Sequence, residues 1–598
     1  MARSHLQQLA FYLRPHQRMA WLGIGSLLLV NAMGVFLPWY IRMAIDDLAG
    51  AAPLTNPGSQ VVVYALVVLA VATVMMGIRI VSRVWMFGIG RQVEFDLKQS
   101  IFEHLLRLPP SYFSTQKAGD IISRVTSDVE NVRRLLGFAL LSLANTVFAY
   151  ALTLPAMLVI DVRLSLLALS VYPFMLILVK LTSSRLQKQQ LEVQQHLSHM
   201  SDLIQEDMNG ITLIKVYAQE GHEQGAFDRR NQKLLDANLT LAFTRNWLFP
   251  SLIALVGLSL LALLSVGGPL IGSGDLSLGD FSALTLYVER LVFPTALLGF
   301  TITVYQRGQV SLDRIEAILG VEPTIQDSPD STLLRDPKGH IRAQDLTFTF
   351  PGTDKPALDR VSFEIHPGQM VAIVGPIGSG KTTLANAIPH LLEISPQQLW
   401  IDGQDVTRLQ LGSLRRSIAY VPQESFLFNA TVRDNIRYGQ PDASDHEVEL
   451  AAKAARIHDE IQTFPIGYDT LVGERGITLS GGQRQRVALA RALLVDLPIL
   501  ILDDSLSSVD NQTALEILAN LSQNFGAQNF GAQHFGALQQ RKTVISISHR
   551  LTTIIDADQI LVMKEGQIVE SGSHAQLLSQ SGLYRYLWDQ QKLEEVLQ

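Results

Sequence analysis

The chain has 598 residues, too many for one domain, and its 47% hydrophobic content with a positive mean hydropathy is high for a fully soluble protein. We therefore expect part of it to face lipid. The net charge of −7, without a basic stripe interleaved with aromatic residues, argues against a nucleic-acid partner. Because the chain contains no cysteine, disulfides, thiol chemistry and cysteine-bound metals are excluded.

The N-terminal half predicts a bundle of membrane helices. A bilayer core near 30 Å needs about 20 apolar residues per helix. Six stretches meet this length, at roughly 18–45, 61–88, 136–159, 162–185, 243–268 and 279–305. The amphipathic segment His5–Arg14 is expected to lie along the membrane surface. Since no small-residue cleavage site follows it, we expect no removable signal peptide.

Charges in the loops predict the orientation of these spans. Residues 91–134 and 180–245 are rich in Lys and Arg, whereas residues 46–60 and 267–279 contain neither. The positive-inside rule then places the N-terminus, both basic loops and the C-terminal half in the cytoplasm. We expect a multi-pass protein of the plasma (inner) membrane.

The basic loops are themselves predicted to be helical. Apolar residues recur at helical spacing from Arg91 to Leu108 and from Lys188 to Asn209, which indicates that membrane helices continue into the cytoplasm. We place a membrane domain at residues 1–315 and a Pro- and Asp-rich linker at 316–340. Residues 341–598, with alternating strand and helix patterns, are predicted to form an α/β domain.

This C-terminal half carries a phosphate-binding pattern. The apolar run Val371–Val374 precedes Gly375-Pro-Ile-Gly-Ser-Gly-Lys381-Thr382, which fits the P-loop sequence GxxxxGK[ST]. Its glycines let backbone N–H groups turn toward an anion at the start of the next helix. Lys381 can reach the β- and γ-phosphates of ATP, and the Thr382 hydroxyl faces Mg²⁺.

Further motifs follow in a fixed order, each weak alone and specific together. They are Tyr420-Val-Pro-Gln423, Leu479-Ser-Gly-Gly-Gln483, Ile499-Leu-Ile-Leu-Asp503, Ser507-Ser-Val-Asp510 and Ser546-Ile-Ser-His549. With them the chain resembles an ATP-binding-cassette (ABC) transporter of the exporter type over nearly its whole length. The resemblance implies an α-helical membrane domain of six transmembrane helices with long cytoplasmic extensions, fused to an α/β P-loop NTPase domain, with ATP and Mg²⁺ as cofactors.

The resemblance also implies roles for individual residues. His549 resembles the switch histidine that contacts the γ-phosphate, Gln423 the Q-loop, and Phe350 the aromatic ring that stacks on adenine. The catalytic residues it implies are Asp504, His549 and Gln423, and the metal ligands are Thr382, Gln423 and Asp503. The nucleotide-binding residues it implies are Phe350, Gly375, Gly378, Ser379, Gly380, Lys381, Thr382, Thr383, Ser480, Gly481, Gly482, Gln483 and Asp510.

Four further segments are interpreted with the help of the same resemblance. Gly473–Gly476 resembles the X-loop of exporters. Residues 111–119 and 210–220 resemble the coupling helices that dock on the ATPase domains; the alternative is surface turns without a partner. A tandem repeat at 524–538, with the copies NFGAQ, NFGAQ and HFGAL, is interpreted as a surface insertion, and a partner-binding element is the alternative.

The ATP site is predicted to be shared between two subunits. The backbone at Ser480–Gly482 presents positive partial charge that a γ-phosphate on another subunit's P-loop would neutralise. With one membrane half and one ATPase half, the chain is expected to be a half-transporter. ATP would hold two cassettes together, and hydrolysis would let the helix bundles rock between inward- and outward-open states.

One departure from the family pattern bears on the partner. The residue after the Asp503 carboxylate is usually the glutamate that serves as base, and here it is Asp504. Shortening the side chain by one methylene withdraws the carboxylate by about 1.5 Å, and misplacement on this scale lowers rates by roughly 10²-fold. We expect weak hydrolysis at this site and a heterodimer whose partner supplies the glutamate. The alternative is a homodimer in which Asp504 is a weaker base.

The transported molecule is less visible in the sequence. Lipids or amphipathic and hydrophobic drugs follow from the resemblance only. Glu289 and Arg290 in span six are functional candidates, or else pair with neighbouring helices. Asp46 and Asp47 are interpreted as interfacial charges. An ATP-gated channel, the alternative function, would favour several charged residues along the spans, and the prediction counts only the Glu289–Arg290 pair.

Overall fold

The computed structural model describes residues 5–49, 57–473, 476–522 and 541–597. It divides into two compact units, a helical unit of Met1–Leu106 and Gln116–Val321 and an α/β unit of Arg107–Thr115 and Glu322–Gln598. The repeat at 524–538 and two of the predicted X-loop residues, Glu474 and Arg475, lie outside the described residues.

Six helices of the described chain are long and apolar enough to cross a membrane. They span Leu9–Ala49, Gln60–Leu105, Ala118–Ile160, Val162–Asn209, Glu220–Ser273 and Leu278–Leu319, which confirms the six predicted spans. The elements are α1 (His5–Leu13), α2 (Gln17–Ala49), α3 (Pro57–Leu105), α4 (Pro110–Thr115), α5 (Ala118–Ser123), α6 (Val129–Arg134), α7 (Leu140–Ile160), α8 (Val162–Leu169), α9 (Tyr172–Asn209), α10 (Ile211–Val216), α11 (Glu220–Ser273) and α12 (Leu278–Leu319).

The membrane helices extend beyond the length that a bilayer needs. Helices α3 and α9 continue to Leu105 and Asn209, as the spacing of apolar residues predicts. Helix α10 lies within the second predicted coupling segment, and α4 overlaps the first but begins one residue before it, at Pro110. The docking role of both segments stays a prediction. Helix α12 runs to Leu319 and so includes the first four residues of the predicted linker, because its buried face continues through Leu312, Ile315 and Ile318.

Asp46, near the end of α2, is hydrogen-bonded to the start of α12, so the interpretation of Asp46 as a plain interfacial charge is wrong. The Asp46 carboxylate accepts hydrogen bonds from the Gly279 N–H and the Ser277 hydroxyl, both at 2.9 Å. Arg42, one turn earlier, forms an ion pair with Asp280 at 2.6 Å. The Asp46 carboxylate thus satisfies the Gly279 N–H at the start of α12, and together with the ion pair it fixes α12 against α2.

Arg290 of α12 is held by polar groups of α2. Its guanidinium donates to the backbone oxygen of Asn31 at 3.0 Å and to the Asn31 side chain at 3.2 Å. The guanidinium lies on Gly34, where any Cβ would overlap it. Among the described residues no carboxylate comes within ion-pair distance of Arg290, and Glu289 beside it is exposed. The structure therefore supports the interpretation that Arg290 pairs with a neighbouring helix, which is α2.

The count of charged residues within the spans was wrong. Predicted span two, now part of α3, also carries Arg79 and Arg83, both exposed. Because the spans carry more charged residues than the Glu289–Arg290 pair, their charge no longer disfavours a channel.

The α/β unit is built on two sheets. A six-stranded sheet has the order β10-β9-β3-β8-β7-β6, and a four-stranded antiparallel sheet has the order β2-β1-β4-β5. The strands are β1 (Ile341–Phe348), β2 (Leu358–Ile365), β3 (Met370–Val374), β4 (Leu399–Ile401), β5 (Gln404–Asp405), β6 (Ile418–Val421), β7 (Ile499–Asp503), β8 (Thr543–Ile547), β9 (Gln559–Lys564) and β10 (Gln567–Gly572). The helices are α13 (Lys381–Ala387), α14 (Leu411–Arg415), α15 (Val432–Arg437), α16 (Asp445–Ala454), α17 (His458–Thr463), α18 (Gly481–Leu494), α19 (Asn511–Ser522), α20 (His574–Ser579) and α21 (Leu583–Leu597).

Parallel pairing brings three strand ends to one edge of the larger sheet. Strands β3, β7 and β8 are buried along their whole length, as expected for a parallel sheet covered on both faces. Strand β8 pairs with both β3 and β7, and β6 pairs with β7, all in parallel. The residues that follow these strands therefore meet at the carboxyl edge, where ligands bind in open α/β sheets.

His390, just after α13, predicts loss of stability in acid. Burial, together with the positive charge of Arg415, lowers the pKa of His390 to about 4. Because the folded pKa lies below the unfolded value near 6.5, the unfolded chain binds the proton first, and stability is lost as the pH falls from 6.5 toward 4. Between pH 7 and pH 5 we expect a loss of about 2 kcal/mol, measured as a fall in the unfolding temperature.

The control is His390→Asn. The backbone at residue 390 has a φ of 52°, a left-handed conformation that asparagine tolerates, so the variant is expected to fold without the titrating ring. Its unfolding temperature should fall less between pH 7 and pH 5 than that of the native chain. An equal fall in both proteins would show that other groups cause the acid sensitivity.

Candidate functional site

The predicted P-loop has the backbone that a phosphate cradle requires. It connects β3 to α13, with positive φ angles at Gly375, Gly378 and Gly380. A Cβ at Gly375 or Gly380 would collide with the backbone oxygens of Met563 and Ala357, whereas one at Gly378 would meet nothing within 4 Å. The first and last of these glycines are therefore fixed by packing, and the middle one faces open space, as an approaching phosphate needs.

Lys381 lies at the base of this loop and is only 5% exposed. Its ammonium group donates to the backbone oxygens of Gly375 and Pro376, both at 2.8 Å, and Ser379 is 3.5 Å away. Burial lowers the pKa of Lys381, and the negative charges of Asp504 and Asp503 oppose that shift. The loop therefore holds a positive charge directly beneath the phosphate cradle.

The structure brings Thr382 and Asp503 together. The Thr382 hydroxyl lies 3.2 Å from the carboxylate of Asp503, which is 1% exposed at the end of β7. Burial raises the pKa of Asp503, while hydrogen bonds from Thr382 and Tyr420 act in the opposite direction. A hydroxyl and a carboxylate oxygen are hard donors of the kind that Mg²⁺ prefers, so these residues fit that ion. Thr383, next in α13, is half-buried.

Asp504 occupies the position where the family has its catalytic glutamate. Its N–H donates to the Ile547 oxygen of β8 at 2.9 Å, and its backbone is left-handed with a φ of 48°. Its charge acts on Lys381, which places its carboxylate near the P-loop. Asp504 therefore belongs to the same edge of the sheet as the phosphate cradle.

Gln423 and His549 lie two residues beyond the ends of β6 and β8, at that carboxyl edge, and both are exposed. No hydrogen bond among the described residues joins either side chain to the P-loop or to Asp503. Phe350 is 42% exposed and packs edge-on against Phe348 at 4.9 Å, so one ring face is available to a ligand.

The segment Ser480–Gln483 begins helix α18, as predicted. Ser480 is the N-cap, and its hydroxyl and the Gln483 side chain each bond the other residue's backbone N–H in a capping box. The Gln483 amide also donates to Glu460 at 3.0 Å. The Gln483 side chain thus caps its own helix and bonds Glu460. Gly481 and Gly482 are the first two residues of that helix.

We call α18, together with its first segment Ser480–Gln483, the signature helix. In the described ranges no hydrogen bond connects Ser480–Gln483 with Gly375–Thr383. Instead, the side chain of Gln485 in α18 bonds Ser507 at 2.9 Å and the Ser508 N–H at 2.8 Å. Asp510, predicted to bind nucleotide, caps helix α19 by accepting from the Thr513 N–H at 2.9 Å, and these hydrogen bonds lower its pKa.

Three residues that position the site were missed at the sequence level. The Tyr420 hydroxyl lies 3.4 Å from Asp503 and bonds Asn386 at 2.9 Å. The Arg550 guanidinium donates to the oxygens of Ser507 and Val509, next to the loop that carries His549. Gln485 is the third. The predicted residues were found because they hold recognised positions in the sequence motifs. Tyr420, Arg550 and Gln485 act through contacts between separate segments, which the motifs do not reveal.

Comparisons with known proteins agree with this geometry. The family described as ABC transporter transmembrane region matches residues 20–295, and the family described as ABC transporter matches residues 358–507. The chain is 33% identical over 591 residues to the multidrug resistance-like ATP-binding protein MdlA of Escherichia coli, covering 99% of this chain and 97% of that protein. It is 31% identical to an ATP-dependent lipid A-core flippase of Syntrophus aciditrophicus, covering 97% of this chain and 94% of that protein.

A solved structure shows the same architecture. The structure of a bacterial Atm1-family ABC exporter with ATP bound matches with a TM-score of 0.75 at 27% identity, covering 96% of this chain and 99% of that chain. The matches span both units in the order that the motifs predict. This chain therefore belongs to the ABC transporter family, as an exporter half-transporter whose ATPase domain couples ATP hydrolysis to transport.

Proposed function

We propose that this chain exports hydrophobic or amphipathic small molecules, drugs or lipids, as the weakly hydrolysing half of a heterodimeric ABC transporter. The observation that carries the proposal is Asp504 beside the buried Asp503, in a chain whose signature helix keeps its glycines and its cap. This chain would then complete the ATP site on the partner's P-loop efficiently, while ATP on its own P-loop is hydrolysed slowly.

The residues have the following roles in the proposed site. The P-loop backbone and Lys381 bind the β- and γ-phosphates, and Phe350 stacks on the adenine. Thr382 and Asp503, with Gln423, hold Mg²⁺, which when bound neutralises part of the phosphate charge. Asp504 accepts the proton of the attacking water, and His549 contacts the γ-phosphate. Cleavage of the γ-phosphate by this water gives ADP and inorganic phosphate.

The pairing follows from electrostatics at the signature helix. The N-terminus of α18 carries positive partial charge, and no residue of its own P-loop contacts it in the part of the chain described. A γ-phosphate bound by a second half-transporter supplies the missing anion. Once the phosphate leaves, that attraction is lost and the two cassettes separate, which drives the change between inward- and outward-open states.

The apolar character of the membrane helices supports the substrate class. A groove of about 520 Å³ in the helical unit is lined almost wholly by apolar side chains, with polar groups only from Thr146, Tyr150 and Tyr172. Such a surface suits a molecule with a large apolar part and few polar groups. The named relatives are described as a multidrug resistance-like ATP-binding protein and an ATP-dependent lipid A-core flippase.

The experiment is reconstitution in lipid with ATP and Mg²⁺, alone and with candidate half-transporters that carry the glutamate. ATP hydrolysis and its stimulation by a panel of lipids and drugs are measured. We expect strong, stimulated hydrolysis only from a pair. Within the pair, Asp504→Asn should leave turnover unchanged, whereas removing the partner's glutamate should abolish it. Strong hydrolysis by this chain alone would favour the homodimer and overturn the asymmetric pair.

A further inference from the structure

A cluster of metal-ligating side chains lies outside the nucleotide site, on the smaller sheet. Strands β1 and β2 are antiparallel, with Ile341 opposite Ile365 and Arg342 opposite Glu364. His340 and His366 flank this register at the ends of the two strands. Because side chains alternate along strands, His340, Glu364 and His366 stand on one face of the sheet. Their imidazole rings stack with centroids 5.7 Å apart and 9° between the planes.

The donor atoms of this cluster are already close together. The Nε2 atom of His340 lies 2.9 Å from the Glu364 carboxylate, and one ligand atom from each of the three residues lies within 4.8 Å of the others. Ligands on a tetrahedral zinc ion, at about 2.0–2.1 Å from it, stand roughly 3.4 Å apart. Small rotations of exposed side chains bridge that difference, since Glu364 and His366 are both exposed.

In the described part of the chain, the Glu364 carboxylate bonds the His340 ring, and no lysine or arginine forms an ion pair with it. Arg342, directly across from it, places its guanidinium over the Trp400 ring at 5.8 Å and donates to Gln344 at 3.2 Å. The described residues contain a single group of this kind, with two imidazoles and one carboxylate.

We propose that His340, Glu364 and His366 bind one divalent transition-metal ion of the zinc class. Two imidazole nitrogens and a carboxylate oxygen are ligands of zinc, copper and nickel rather than of magnesium or calcium, which require more oxygen ligands. Three protein ligands leave a coordination position for water. The bound ion joins the start of β1 to the end of β2, just before the turn that leads through β3 into the P-loop. The site shares no residue with the proposed nucleotide site.

The test is metal binding by the purified full-length chain, after removal of any affinity tag and treatment with a chelator. Zn²⁺ uptake is measured by calorimetry, and Co²⁺ replaces it as a probe whose visible absorption reports its coordination. Excess Mg²⁺ is present throughout, so that hard-oxygen sites are filled, and nucleotide is left out because ATP itself binds Zn²⁺ and Co²⁺. We expect one equivalent of Zn²⁺ per chain and a Co²⁺ spectrum of low coordination number.

Matched variants locate the ion. His366→Gln and Glu364→Gln are each expected to weaken Zn²⁺ binding by about tenfold or more, since disturbing even the outer partners of a metal has effects of that size. The control is His446→Gln, which removes an exposed histidine elsewhere on the α/β unit and should leave uptake unchanged. ATP binding by each variant checks folding. The proposal is overturned if the native chain takes up no Zn²⁺, or if His366→Gln and Glu364→Gln both bind it as the control does.

Discussion

Replacing Asp504 with glutamate is expected to raise ATP hydrolysis by this chain by about 10²-fold, assayed without a different half-transporter so that two copies of the chain form the shared site. The substitution adds the methylene that the family residue has, and so advances the carboxylate by about 1.5 Å toward the attacking water. A base must come within hydrogen-bond distance of the proton that it removes, which makes the rate sensitive to a shift of this size. The measurement is release of inorganic phosphate at saturating ATP, with Mg²⁺ present.

The local backbone predicts a second consequence of the same change. Residue 504 has a φ of 48°, and aspartate accepts this left-handed conformation more readily than glutamate does. We therefore expect the faster variant to unfold at a slightly lower temperature. Faster hydrolysis together with lower stability would identify Asp504 as a residue that stabilises the fold at the expense of turnover.

The control for this prediction is Asp504→Asn, which keeps the size of the native side chain and removes its charge. It should abolish the residual hydrolysis of the lone chain while leaving ATP binding intact. If the native chain already hydrolyses ATP at an ordinary exporter rate, and glutamate brings no increase, Asp504 is an adequate base. The homodimer would then be the better description.

The sequence predicted the elements of this molecule better than the contacts between them. Six spans follow from apolar length, and the P-loop, the buried β7 strand and the capped start of α18 follow from local patterns whose cause lies within a few residues. The contact between Thr382 and Asp503 was predictable because both belong to motifs with a known shared ligand.

Contacts between distant segments left no local signal. Asp46 bonds residues more than two hundred positions away in α12, and Arg550 bonds backbone oxygens of the segment around Ser507. The residues next to Asp46 and Arg550 in the sequence are equally compatible with exposed side chains, so they do not predict these contacts. Arg79 and Arg83 were missed for a different reason, since a highly apolar span tolerates two charges without losing its predicted length.

Replacing Gly481 with aspartate is expected to lower ATP hydrolysis by about 10²- to 10³-fold, the size of effect seen when a stabilising group at a reacting phosphate or oxyanion is lost. The variant is best made in the Asp504→Glu background, where hydrolysis by two copies of this chain is measurable without a different half-transporter. A carboxylate at the N-terminus of α18 would repel the γ-phosphate bound by the second subunit. The same charge favours its own helix by about 0.3–1 kcal/mol, so folding should not suffer.

The packing around the helix N-terminus makes residue 481 the better of the two glycines for this test. A Cβ at Gly481 would meet Ser508 at 3.5 Å, an ordinary contact, whereas one at Gly482 would approach the Ser508 backbone oxygen to 2.8 Å. Gly482 substitutions would therefore confound charge with displaced backbone. Gly481→Asn, equal in size to aspartate and uncharged, is the matched control, and the difference between the two variants reports electrostatics alone.

Binding and hydrolysis should separate in Gly481→Asp. Because no hydrogen bond within the described chain joins the signature segment to its own P-loop, ATP affinity of the isolated subunit should be unchanged. The ATP-dependent association of two cassettes, measured by light scattering or cross-linking, should be lost together with hydrolysis. Equal turnover in the aspartate and asparagine variants would mean that α18 does not face a phosphate, and the shared ATP site would have to be abandoned.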